Sequence, residues 1–402
     1  MSFLARASRP TSPPALGPSI AQRMLVCALA LIPLAGAAEV IVVGPEGQPF
    51  AMALDRAKDG DEIVVLPGTY KGAIGIVEQK RLTIRGQGKR PVLLFDNKLA
   101  QGNAMLVVRG GQVRLENLEF RGARSPDGDG AGVRFERGRL EVVRCAFFDN
   151  QSGLNTANAG DAELDIEASE FAHAPREVGE LNHLLHVGRI ARFTLNGSRL
   201  YDGFEGHLVK SRARESIITY NMIRDGASGE ASYEIDLPNG GRATLIGNVI
   251  SQSPHSQNPV LVSYGAEGRV WDDNALVLSH NTLISEGWRP AWFLRVHRDR
   301  IGAPSGVLEV LALNNLIVGS GFFELGASGE FLGNRPATLG MLADVATGAF
   351  ELPPDSIWRG RVPDPRTALG RNLAPKAEFE WPAGTREIPP DRVRWAPGAY
   401  QR

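Results

Sequence analysis

Side chains able to move protons or hold charge crowd the stretch from His186 to His297: His186, His207, Lys210, Arg212, Tyr233, Glu234, Asp236, Tyr264, Arg295 and His297. One chemistry they support is removal of a proton from the carbon beside a carboxylate, while a cation neutralises the charge that develops there. Lys210 is then the base, and His186, Arg212, Glu234 and Asp236 complete the catalytic set. Glu205, Glu234 and Asp236 together offer the oxygens that a hard ion such as Ca2+ requires. A second chemistry is glycosidic hydrolysis by Glu234 and Asp236 as paired carboxylates, roughly 6.6 Å apart at Cα as i and i+2 on a strand. His207, Tyr233, Tyr264, Arg295 and His297 remain to bind substrate.

A repeat must position these residues. Segments ending at Phe120, Phe147, Phe171, Leu200, Ile223, Ile250, Leu283 and Ile317 recur at steps of 23 to 34 residues. Five positions before each end lies an apolar or small residue: Leu115, Val142, Ile166, Leu195, Ile218, Leu245, Leu278 and Ala312. Two before lie Leu118, Cys145, Ser169 and Ser198, then Asn221, Asn248, Asn281 and Asn315. Stacked strands bring equivalent residues to about 4.8 Å, so the asparagines are expected to form an internal ladder, amide to amide, with a structural role.

The other strand of each turn reads HLLHVGR, HLVKSRA, SYEIDLP, VLVSYG and FLRVH. With Val187, Val209, Ile235, Val262 and Val296 as an inward column, alternation turns their neighbours outward. One outward column is His186, Leu208, Glu234, Leu261 and Arg295; the other is Gly188, Lys210, Asp236, Ser263 and His297. The same alternation puts His183 and His186 on opposite faces, which argues against a shared metal.

Arg23, the apolar run Met24 to Leu34 and Ala35-Gly36-Ala37 read as a signal peptide over residues 1–37, with Met24 an alternative start. The apolar run is too short to span a membrane, so a secreted or periplasmic protein is expected. The net charge of −1 and the absence of a long basic run exclude a nucleic-acid partner. Cys27 falls in the signal, and Cys145, in VVRCAFF, reads as a packed thiol. Residues 321–402, rich in Gly and Pro and carrying Trp358, Trp381 and Trp395, read as a tail packed along a body formed by residues 38–320.

Near the start of that body, Pro49 to Lys58 has helical spacing and is followed by GDEIVVLPGTY. This combination resembles the N-terminal cap of right-handed parallel β-helix proteins of the pectate-lyase-like superfamily. The resemblance implies an all-β solenoid with a helical cap and an irregular tail, expected as a monomer. EGHLVKSRARESIITYNMIRDG is similar to a segment of β-helix lyases of the chondroitinase B and alginate lyase type. There Lys210 matches the catalytic lysine and Glu205 a calcium-binding glutamate, which implies a polysaccharide partner, uronate-containing, cleaved by β-elimination. The sequence departs from that pattern where those lyases carry Arg-His-Gly, since Glu234-Ile235-Asp236-Leu237 stands there instead. A non-catalytic glycan-binding or cell-envelope scaffold protein is the alternative, and an open aromatic platform would be its mark.

Overall fold

The computed structural model describes residues 38–177, 179, 181–301, 309–326, 328–366, 372–392 and 394–401, so the expected signal segment lies outside the described residues. From residue 38 onward the chain is a right-handed parallel β-helix. Each coil passes through three strands, and the coils stack into three parallel sheets of twelve, ten and eleven strands. The first runs from Val40–Val43 to Glu330–Leu332, the second from Gly75–Val77 to Gly321–Leu325, and the third from Thr69–Lys71 to Arg335–Ala337. The second is called the groove sheet below.

The repeat read from the sequence is the register of the first and third sheets. Phe147 pairs with Phe120 and Phe171, Ile250 with Ile223 and Leu283, and Val142 with Leu115 and Ile166. These side chains fill the barrel, with the rings of Phe120, Phe147 and Phe171 stacked at 5.2 and 4.6 Å. Between the first and third sheets each coil bends at one left-handed residue, including Tyr220 (φ 57°), His280 (φ 51°) and Asn314 (φ 54°). A non-glycine residue in that conformation costs roughly 1–2 kcal/mol. The next residue offsets the cost by hydrogen bonding. Asn221 Nδ2 donates to Leu195 O and Asn248 Oδ1, and the pattern repeats at Asn248, Asn281 and Asn315, ending on Asn334, all at 2.8–3.0 Å. The ladder continues in the other direction through Ser198, Ser169 and Cys145, whose buried thiol is pushed up to about 11 by burial.

The helix Phe50–Arg56 closes the N-terminal end, burying Phe50, Ala53 and Leu54. Leu54 packs so closely over Gly75 that a Cβ there would lie 2.2 Å from its Cδ1. At the other end the coils run past residue 320, because Gly321–Leu325, Glu330–Leu332 and Arg335–Ala337 add one more strand to each sheet. After Ala337, Phe350, Leu352, Phe379 and Tyr400 cover Met222, Val249, Ile284, Leu316 and Val318 of the third sheet. Leu373 packs on Val277 and Leu311 of the first. These apolar contacts of the tail fall on the third and first sheets, not on the groove sheet.

Candidate functional site

Strands of the groove sheet do not alternate strictly. In His207–Ser211 the adjacent Leu208 and Val209 both enter the core, while His207 and Lys210 point out. The same double inward step occurs at Leu184–Leu185, Glu234–Ile235, Leu261–Val262 and Phe293–Leu294. It occurs at the same position in each strand, so the strands stay in register while the side chain before the step turns outward.

That step corrects the expected columns. His186 pairs with Lys210, Lys210 with Asp236, Asp236 with Ser263 and Ser263 with Arg295. His186 and Arg295 were expected in the neighbouring column, two residues out of register. Asn155 and Arg134 extend the column, so seven polar residues from Arg134 to Arg295 span six strand steps, roughly 29 Å. Beside it run His183, His207, Tyr233, Val260, Trp292 and Phe322. His183 and His186 therefore share a face, with ring centroids 4.9 Å apart, contrary to the alternation argument.

Glu234 is the main correction. It occupies the first inward position, between Leu208 and Leu261, fully buried, and neither carboxylate oxygen has a hydrogen-bond partner. Burial, reinforced by the nearby Asp225 carboxyl, holds its pKa well above the usual glutamate range. Gln252 lies beside it, but its amide donates to Asn258 O at 2.7 Å. Glu234 can therefore neither pair with Asp236 across a sugar nor ligate an ion in the groove. Tyr264 also points inward, donating from its hydroxyl to Gly241 O at 2.5 Å, and lines no subsite. His297 follows the strand Ala291–Val296, half-buried and three coils from Arg212.

The centre is built on Lys210 and Asp236. Lys210 Nζ lies 3.9 Å from Asp236 Oδ2 and 3.4 Å from Glu267 Oε1. Asp236 is buried, its Oδ1 lacks a partner, and burial, opposed by the Lys210 cation, pushes its carboxyl up to about 6. His207 Nδ1 stands 3.4 Å from Asp236 Oδ2, its ring 4.8 Å from Tyr233 and 4.6 Å from His183. Burial and the Lys210 charge hold His207 well below the ordinary imidazole range. Arg212 Nη1 donates to His186 Nε2 at 2.7 Å, leaving the ring proton on Nδ1, and burial with Arg212 pushes His186 down to about 4. Arg212 also grips Glu267 through Nε and Nη2 at 2.8 and 2.6 Å, and those hydrogen bonds pull the Glu267 carboxyl down to about 2. A cleft of about 370 Å3 opens beside them, lined by Asn158, His186, Arg189, Arg212, Asn239 and Glu267.

The expected Ca2+ ligands do not fit the ion. Glu205 Oε2 accepts Gly179 N at 2.9 Å, Glu234 faces the core, and only Asp236 reaches the groove. Among the described residues no group of three acidic, histidine or cysteine side chains converges as metal ligands would.

Glu267, Asn239 and Trp292 escaped the reading of the sequence. Glu267 and Asn239 stand in loops without equivalents in other coils, where no repeat flags them. Trp292 stands just before the stretch FLRVH read as a strand, and its place follows only from the corrected register.

No family model matches the chain, and no curated protein matches its sequence. Among solved structures, that of pectate lyase Pel9A is similar to it with a TM-score of 0.60, over 90% of this chain and 96% of that one, at 14% sequence identity. The likeness is one of fold.

Proposed function

We propose that the protein is an exported polysaccharide lyase acting on a uronate-containing glycan, with Lys210, Asp236 and His207 at the reacting centre. The observation that supports it most is the Lys210–Asp236 pair, buried in the outward column beside the cleft with Asp236 Oδ1 making no hydrogen bond. A fold built only for stability leaves few buried polar atoms unsatisfied. The geometry also redistributes the roles expected from the sequence. Lys210, set between two carboxylates, is the cation that neutralises the substrate carboxylate, and Asp236 is the base that takes the proton from the adjacent carbon. As that proton leaves, the carbon–oxygen bond at the next carbon breaks and a double bond forms between the two carbons. His207, neutral and 3.4 Å from Asp236, relays the proton to the departing oxygen. Such glycans lie outside the cell, so export, as residues 1–37 suggest, belongs to the proposal. Among the described residues no helix is long and apolar enough to cross a membrane.

The test is the pH dependence of turnover on polygalacturonate and alginate, followed by the ultraviolet absorbance of the unsaturated product. A base must be deprotonated to act, so kcat should fall as pH drops through about 6, the value to which burial raises Asp236. Asp236→Asn should lower kcat by about 10^3, within the range for a general base. A limb that instead rises only at alkaline pH would return the base role to Lys210.

One observation favours a second reading, non-catalytic glycan binding. At the C-terminal end of the groove, Trp292 is half-exposed, Phe322 on the next strand is 64% exposed, and Trp288 is 80% exposed. Arg295 lies 5.4 Å over Trp292. Unsaturated product absent, with binding intact, would leave this reading in place.

A further inference from the structure

Arg212, Lys210 and Asn239 present four donor atoms to a single carboxylate, that of Glu267. Arg212 Nε and Nη2 meet Oε2 and Oε1 at 2.8 and 2.6 Å, Lys210 Nζ meets Oε1 at 3.4 Å, and Asn239 Nδ2 meets Oε2 at 3.4 Å. The planar fork of an arginine fits a carboxylate in two parallel bonds, so this is a site shaped for that group. The cations are part of the wall, with side chains 21% and 11% exposed, whereas Glu267 is 40% exposed and comes from a loop. Its backbone is fixed by Glu267 N donating to Pro238 O at 2.9 Å, so rotation of the side chain alone would vacate the site. The cleft of about 370 Å3 opens on two of these donor residues, Arg212 and Asn239, with Arg189 also in its lining, a guanidinium that has no carboxylate partner among the described residues.

We infer that Arg212, Lys210 and Asn239 form the subsite for the carboxylate of a uronate sugar, and that Glu267 is an internal carboxylate which occupies this subsite until substrate displaces it. The inference rests on the reading of the groove as a uronate site. It adds what that reading lacks: the atoms that hold the sugar's acid group, and a residue of the chain that competes for them. Displacement brings the sugar carboxylate to Lys210, one strand from Asp236, which is where a proton beside that carboxylate must lie for removal. A neutral sugar has no group able to compete with Glu267, so the contact also selects for acidic glycans.

The test compares Glu267→Gln and Glu267→Ala with the parent. Steady-state turnover is measured on polygalacturonate and alginate. Binding of trigalacturonate and of neutral maltotriose is measured by calorimetry in the Asp236→Asn protein. Removing the competing charge should lower KM and tighten trigalacturonate binding by about tenfold, the scale of one charge-assisted contact, and leave maltotriose unbound. Circular dichroism melts check that the variants are folded, and either one suffices. Unchanged or weaker trigalacturonate binding in a folded variant would make Glu267 a structural partner of Arg212, overturning the inference while the groove reading stands. If the Asp236→Asn protein binds no uronate oligomer with or without Glu267, both fall together.

Discussion

Two columns of polar side chains climb the same barrel, one residue per coil, and they differ in what they leave undone. Along the inner ladder Asn221, Asn248, Asn281 and Asn315 are one residue type, and every amide finds its partners in the adjoining coils. Along the groove His186, Lys210, Asp236, Ser263 and Arg295 are all different, Asp236 Oδ1 and Ser263 Oγ make no hydrogen bond, and the adjacent His207 Nδ1 stands 3.4 Å from Asp236 Oδ2 without bonding it. Identity from coil to coil is how a stack solves a recurring hydrogen-bonding problem. Variety with unmet bonds is what a stack shows when something outside the chain completes it.

The largest effect that would break this contrast is in the ladder. Asn281→Ala removes the acceptor for Asn248 N and Nδ2 and leaves both buried. At about 1–3 kcal/mol per unsatisfied group, the loss in unfolding free energy should reach roughly 4 kcal/mol, read by urea denaturation, with turnover unchanged in the folded fraction. A loss below about 1 kcal/mol would mean the ladder is ornament.

Glu234 sharpens the contrast from the other side, as a polar residue that belongs to neither column. Burial holds its folded pKa well above the usual glutamate range, and burial likewise raises the Asp225 carboxyl to about 7. A carboxyl raised on folding contributes stability that is complete below its unfolded pKa and is lost as pH rises through the folded value. The native protein should therefore melt progressively lower from about pH 5 towards 8. Glu234→Leu, matching Leu208 and Leu261 on either side, should flatten that slope and gain about 2 kcal/mol at the alkaline end. A steeper slope in the variant would contradict the assignment.

The smallest effect lies at the end of the groove. Trp292→Ala with Phe322→Ala should raise KM for long uronate glycans about fivefold, the scale of one stacking contact near 1 kcal/mol, and leave KM for a trimer unmoved. Equal KM for both lengths would remove the aromatic end from the binding surface.

The ladder was legible because its motif is constant where its spacing is not: from Asn221 to Asn315 an asparagine stands two residues before an apolar one in four successive coils, and the register follows. The groove was legible only in part. Lys210 and Asp236 were placed one coil apart because their strands have the same length between equivalent residues. His186 and Arg295 slipped by two residues because strict alternation ignores the double inward step. The signal that exposes this step was present, since the position of Glu234 is Leu184, Leu208, Leu261 and Phe293 in neighbouring coils, an apolar run that no outward column would carry. Glu267 left no such trace, being a loop residue that does its work through a side chain reaching back across a coil.

Loop length has a consequence for how this molecule can change. The coils vary from 23 to 34 residues, yet the strands stay in register from coil to coil, so surplus residues are shunted sideways into the loops. Segments such as the one bearing Glu267 can be lengthened or exchanged while the strands that carry Lys210 and Asp236 keep their register. On the proposed function, inheritance could thus rewrite which glycan enters while Lys210 and Asp236 stay where they are.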